Sequence, residues 1–259
     1  MCINFWRYKD AFPDLQSEMF SLPHIGAIIL AIAIILVCAF VMRGMHRERV
    51  RRMLQILSVV VLALEISIFL WAYIHGKRHM GAPDYATILP IYTCSLINYT
   101  LIGAAWGHGF VERCCLAYLT TIGLIAGASG IFLVNGLRSY PFWTLGALYS
   151  FFYHFMMFFV GIMLLATGYH KPKWSDALYT FVPIVCLAII AIPVDYHWKA
   201  DYMLLYEGKG APVLPILSRT LASHDLRALF TFLALLIYIP VAAIIVAFDK
   251  VLTRWICTK

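Results

Sequence analysis

"IGAIILAIAIILVCAFVM", residues 25–42, runs directly into "RGMHRERVRR", residues 43–52. The first stretch is an unbroken apolar run; the second holds Arg43, Arg47, Arg49, Arg51 and Arg52. A helix rising 1.5 Å per residue needs about 20 residues to cross a ~30 Å hydrocarbon layer. Lipid offers backbone amides no partner, so a run of this kind must satisfy its own hydrogen bonds as a helix. The arginine cluster is the densest basic stretch in the chain, and loops of that composition stay cytoplasmic. The junction therefore predicts a membrane span that ends at the inner face.

The same pattern recurs outward from this point. Apolar runs are expected to span at Ile25–Met42, Met53–Ile74, Thr87–Trp106, Cys115–Asn135, Trp143–Thr167, Ala177–Val194 and Ala228–Phe248. The sixth is the weakest, because Pro183 and Pro193 interrupt it. Composition agrees: 63% of residues are hydrophobic and only 13% charged, about half the charge of a soluble domain. The expected fold class is all-α, a polytopic bundle of about seven transmembrane helices. Its N-terminus lies outside and its C-terminus in the cytoplasm. Residues 1–24 read as an interfacial segment, 25–248 as one transmembrane domain and 249–259 as a cytoplasmic tail. Acidic residues precede the first run and no small-residue cleavage pattern follows it, so it reads as a retained span and not a signal peptide.

The net charge of +7 sits in loops and serves topology, so no nucleic-acid partner is indicated. No internal repeat marks an inverted-repeat transporter. Seven cysteines, an odd number without C-x-x-C spacing, indicate neither a disulfide framework nor a metal site. No cofactor is called for.

Polar groups within the spans are few, and each is costly at that depth. Glu65 lies ~18 Å from the inner end of its span, His154 ~16 Å from the outer end of its own and Cys94 ~10 Å below the outer face. Three helices thus bring a carboxyl, an imidazole and a thiol to one layer, the ingredients of an activated nucleophile. Cys94 would attack, His154 take its proton and Glu65 fix the ring tautomer. Asn98, one turn after Cys94, and Ser150, one turn before His154, could serve a developing oxyanion. Each group also has a plain structural reading: a packed thiol, a bonded histidine, a neutral carboxyl gluing two helices. Other features read as structural first. Ser21 could cap the first helix, and His24 could be an ionisable group at the rim. Gly123 and Gly127 fit small-residue helix packing. Cys114 and Cys115 are packing residues or acylation sites. His75 and His79, near Lys77, read as a solvated turn. The long aromatic loop from Asp195 to Arg227 is an interfacial belt or a lid.

Four motifs stand in order along the chain: "FSLPHIG", "LPIYTCSL", "YSFFYHFMMF" and "ADYMLLYEGKGAP". Together they resemble the YwaF-like family of bacterial integral membrane proteins, distantly similar to the eukaryotic transmembrane protein 164 family. That resemblance covers about residues 20 to 248. It implies a multi-pass acyltransferase of the cell membrane that moves a fatty acyl chain onto a lysophospholipid. Cys94 would be the acyl-accepting thiol and His154 its base, with membrane phospholipids as partners. Asp201 and Tyr202, in the "ADYM" motif, join the expected substrate-binding residues. Tyr92 and Asp201 depart from the residues usual in the bacterial relatives. Two other functions fit the same residues: a transporter using Glu65 and His154 as a proton or ion relay, and a scaffold in which the polar groups only join helices.

Overall fold

The computed structural model describes residues 5–12, 19–76, 78–79, 82–83, 88–133, 140–209 and 214–257. Thr87 and Asn135, which bound two of the expected spans, lie outside these residues, as do Lys77 and the side chain of His79.

Helix α1 (Leu22–Val41) carries Pro23 in its first turn, where a missing N–H is harmless. Helix α2 (Arg47–His75) starts inside the arginine cluster, so the span and its basic anchor are one rod. Then comes a two-residue β pairing of Arg78–His79 with Ala82–Pro83. Helix α3 (Leu96–Trp106) is short. Helices α4 (Gly109–Thr120) and α5 (Ile122–Phe132) form one span broken at Thr121. Helices α6 (Leu145–Ala166) and α7 (Asp176–Trp198) follow. After a loop come α8 (Leu214–Ala222), α9 (Arg227–Leu236) and α10 (Tyr238–Cys257).

Among the described residues, six helical segments are long and apolar enough to cross a membrane. Their outer faces carry the apolar side chains that lipid requires. Ile29, Leu36 and Phe40 on α1 and Ile56 and Val59 on α2 are all more than 60% exposed. This is a multi-pass membrane protein. Pro183 and Pro193 sit inside α7 without ending it, as membrane helices tolerate when neighbours restore the freed backbone groups. Pro240 instead marks a break, since α9 stops at Leu236 and α10 starts at Tyr238.

The expected third span departs from its prediction. Of Thr87–Trp106, only Leu96–Trp106 forms a continuous helix, and residues 89–95 are irregular. Pro90 lacks an N–H and biases the preceding residue away from helix, so the apolar run enters the bundle as a loop.

Polar ties at the basic end fix an up-and-down arrangement. Arg47 pairs with Glu112 of α4 at 3.1 Å and donates to the Tyr169 carbonyl just beyond α6. Arg51 donates to the carbonyls of Ala105 and Gly107, at 3.0 and 3.1 Å. It thereby caps the C-terminal end of α3, where helix carbonyls lack partners. Arg113 and His170 converge on buried Asp176 at the start of α7. Residues 199–209 and the irregular segment 89–95 therefore share the opposite end of the bundle. Residues from the N-terminal segment pack there too: Phe5 accepts from the Leu145 N–H, and Tyr8 lies against Trp71 and Tyr140.

The most extensive helix contact is between α5 and α6. A Cβ at Gly127 would stand 2.5 Å from Phe158 N, and one at Gly161 would stand 2.4 Å from Leu124 Cδ1. Gly123 meets only its own chain's Tyr118. The close approach thus uses Gly127 with Gly130 and Gly161, not the expected pair of Gly123 and Gly127. Ser21 occupies the N-cap position of α1 but makes no cap bond, and its buried hydroxyl has no partner among the described residues. His24 takes over: its Nδ1 accepts from Phe20 N at 3.0 Å and its Nε2 donates to the Ile131 carbonyl at 2.9 Å. With both ring nitrogens engaged, His24 is a structural tie between α1 and α5. Cys114 and Cys115 are buried, and Cys115 Sγ fills the space beside Gly103.

Candidate active site

Non-helical backbone at membrane depth needs partners from protein, because lipid supplies none. Around residues 89–95 those partners are mostly tyrosines. Tyr202 Oη accepts from Leu89 N at 3.0 Å. Tyr99 Oη donates to the Pro90 carbonyl at 3.1 Å. Tyr118 Oη donates to the Thr93 carbonyl at 2.5 Å, and Tyr238 Oη bonds Thr93 Oγ1 at 2.8 Å. Cys94 follows Thr93 directly, half-buried and outside any disulfide among the described residues. The loop therefore holds a thiol at the start of α3 inside a ring of phenols.

Glu65 meets this ring from α2. Tyr149 Oη donates to Glu65 Oε2 at 2.6 Å. Tyr153, one turn further along α6, faces the same carboxylate, with its ring 5.3 Å from that of Tyr149. Asn98 Nδ2 donates to Tyr153 Oη at 2.9 Å. Asn98 Oδ1 is buried without a protein partner among the described residues. Glu65 also lies within electrostatic reach of the Cys94 thiol. The structure thus brings together Glu65, Cys94 and Asn98, three of the expected residues, through two tyrosines that sequence reading did not single out. A signal for the pair existed: Tyr149 and Tyr153 are four apart and share a helix face.

His154 occupies the neighbouring face of α6. Its Nδ1 lies 2.7 Å from the Ser150 carbonyl, so Nδ1 carries the proton and Nε2 is the free acceptor. The ring lies flat on Gly130 of α5; a Cβ there would stand 1.9 Å from His154 Cδ2. The Ser150 backbone, not Glu65, holds the tautomer. Among the described residues no hydrogen bond joins His154 to Cys94 or to Glu65.

Asp201 and Tyr202 organise the loop above. Asp201 Oδ1 accepts from the N–H groups of Tyr206, Glu207 and Gly208, and Oδ2 accepts from Lys209 at 2.6 Å. Tyr202 is fully buried, its ring tilted against that of Tyr92 with centroids 4.5 Å apart, and its N–H donates to Asp195 Oδ1 at 2.8 Å. Asp195, buried at the end of α7, was not singled out from sequence. Tyr238 closes the arrangement by donating to the Met203 carbonyl while bonding Thr93. Loop 201–209 and the Cys94 segment are therefore joined directly.

A model of the TMEM164 family matches residues 19–248. No curated protein and no solved structure matches the chain.

Proposed function

The chain belongs to the TMEM164 family, and from that membership together with the site geometry we propose intramembrane acyl transfer between phospholipids, with Cys94 as nucleophile and His154 as base. Within the family we place it with the YwaF-like bacterial proteins, on the order of its four motifs, and in the cell membrane. The observation that carries the reading is the position of Cys94. Its thiol sits on the irregular segment that opens the third apolar run, and non-helical backbone in such a run persists where it is buried in protein or lines a cavity.

The chemistry proceeds in two displacements. Cys94 Sγ adds to the carbonyl carbon of an acyl ester as its proton passes to His154 Nε2. The C–O bond to the lipid oxygen breaks, His154 returns the proton to that oxygen, and a lysophospholipid leaves. A second lipid hydroxyl gives its proton to His154 and attacks the thioester, and the departing thiolate is reprotonated by the imidazolium. Asn98 Oδ1 supplies an unused acceptor for the incoming hydroxyl. Among the described residues Cys94 and His154 are not bonded to each other, and hydrogen bonds of this kind often form or tighten only in the substrate complex.

The test is mass spectrometry of the purified protein after incubation with phospholipid. A thioester adduct on Cys94 is expected in the wild type and absent in Cys94→Ala. In His154→Ala the adduct should form at least ~100-fold more slowly, the usual contribution of a positioned acid–base group. Acyl transfer of equal rate in Cys94→Ala ends the proposal. The Glu65–Tyr149 bond and the Asn98–Tyr153 bond favour a second reading, a non-catalytic scaffold with the polar groups as interhelical ties. Under it Cys94→Ala loses no chemistry, while Glu65→Ala lowers thermal stability.

A further inference from the structure

At the end of the bundle that holds the Cys94 segment, a cavity of about 250 Å³ is lined by Glu207, Lys209, Pro215, Ser218, Arg219 and Arg227. We propose that this cleft binds the phosphate group of a phospholipid headgroup. The choice of a lipid as the source of that phosphate rests on the acyl-transfer reading above. Three cations face one carboxylate, so the cleft is net positive. Glu207 pairs with Lys209, and this contact holds the lysine ammonium above its ordinary range and so keeps it charged. The two arginines remain for an external anion.

Their surroundings are prepared for that task. The Arg227 guanidinium lies 4.3 Å over the Tyr206 ring, and Nη1 donates to the Tyr206 carbonyl at 3.4 Å. It is thus held in place with donors to spare, and a guanidinium matches phosphate oxygens two at a time. Arg219 is exposed, and no hydrogen bond or ion pair ties its side chain to protein among the described residues. The loop bearing Glu207 and Lys209 is fixed from beneath by the four N–H bonds to Asp201, which lowers the ordering cost of binding.

Size and setting choose the ligand. The volume falls just below the ~300–1,000 Å³ of sites for drug-sized molecules, which suits a headgroup and excludes acyl chains. Ile216 on α8 is 66% exposed and Leu226, beside Arg227, 45%. Apolar side chains flanking a basic cleft place its mouth against lipid. Tyr202 and Tyr238 tie the same loop to Leu89 and Thr93. A lipid anchored here by its phosphate would present its ester toward Cys94.

The experiment is calorimetric titration of the purified full chain in detergent with three probes: a short-chain phosphatidylcholine below its micelle concentration, the matching diacylglycerol, and inorganic phosphate. Wild type should prefer the phosphatidylcholine, and Arg219→Gln should weaken that binding about tenfold, as expected for a lost charge-assisted bond. Diacylglycerol binding should not change. Arg227→Gln also disturbs Tyr206, so Arg219→Gln, with unchanged thermal unfolding, is the deciding variant. Equal phosphatidylcholine affinity in Arg219→Gln and wild type overturns the proposal. So does inorganic phosphate binding as tightly as the lipid, which would make this a free-phosphate site. Cys94→Ala should bind like wild type, and wild-type protein that binds the lipid yet forms no thioester would sink the chemistry and spare this cleft.

Discussion

His154 packs directly against Gly130. The imidazole rests where a Cβ on residue 130 would stand, so Gly130→Ala must push it off the Ser150 carbonyl. Overpacking of this kind costs ~1–3 kcal/mol. Thermal unfolding should show that loss in the wild-type background and recover most of it in His154→Ala, since the clash is then gone; a cost that persists there would mean no direct contact. Tyr118 offers a second residue-scale test. Its hydroxyl is the described donor to the Thr93 carbonyl, and Tyr118→Phe leaves that acceptor without it. The expected cost is ~1–3 kcal/mol. Tyr99→Phe, which removes the phenol bonded to the Pro90 carbonyl, should cost a similar amount, because lipid offers that carbonyl no other partner. These bonds also explain why the site was only half legible. Cys94, His154 and Glu65 stand out because thiols, imidazoles and carboxylates are rare in lipid. A tyrosine in an aromatic-rich span carries no such mark, so the phenols that surround the thiol passed as packing residues.

At the scale of single elements, α3 is the informative case. It is too short to span alone, and its C-terminal carbonyls are held by Arg51 from another helix. Arg51→Ala should therefore fray α3 and destabilise the protein by ~1–3 kcal/mol, the cost of leaving part-buried carbonyl acceptors without their donor. Arg51→Lys should recover less than half in the same unfolding assay, since a single ammonium cannot reproduce the planar fork. If lysine restores full stability, the arginine acts through charge and not through the cap. Hydropathy counted this region as a full span because it weighs side chains and not backbone bonds. Pro90 carried the contrary signal. The prolines of α7 show why that signal is ambiguous: Pro183 and Pro193 leave their helix intact, and only neighbouring partners decide which outcome follows.

For the whole molecule, alternation of helix direction places the arginine-rich loop and residues 199–209 at opposite ends. Single cysteines at positions 49 and 209, in a background whose exposed native cysteines are serine, should be labelled by an impermeant maleimide from opposite faces of the membrane. Position 49 is expected on the cytoplasmic face; labelling of both from one side would break the topology. What the sequence determined by itself was the helical class, the location of most spans and the basic anchor. Those follow from one strong local constraint, that backbone in lipid must bond to itself. What only the tertiary structure decided was which polar groups meet: Glu65 with Tyr149, Asn98 with Tyr153, His154 with the Ser150 backbone, and three cations around one cleft. Depth along a span can be counted from residue numbers, but the rotation of each helix about its axis is set by packing against its neighbours. Rotation decides which side chains share an interior.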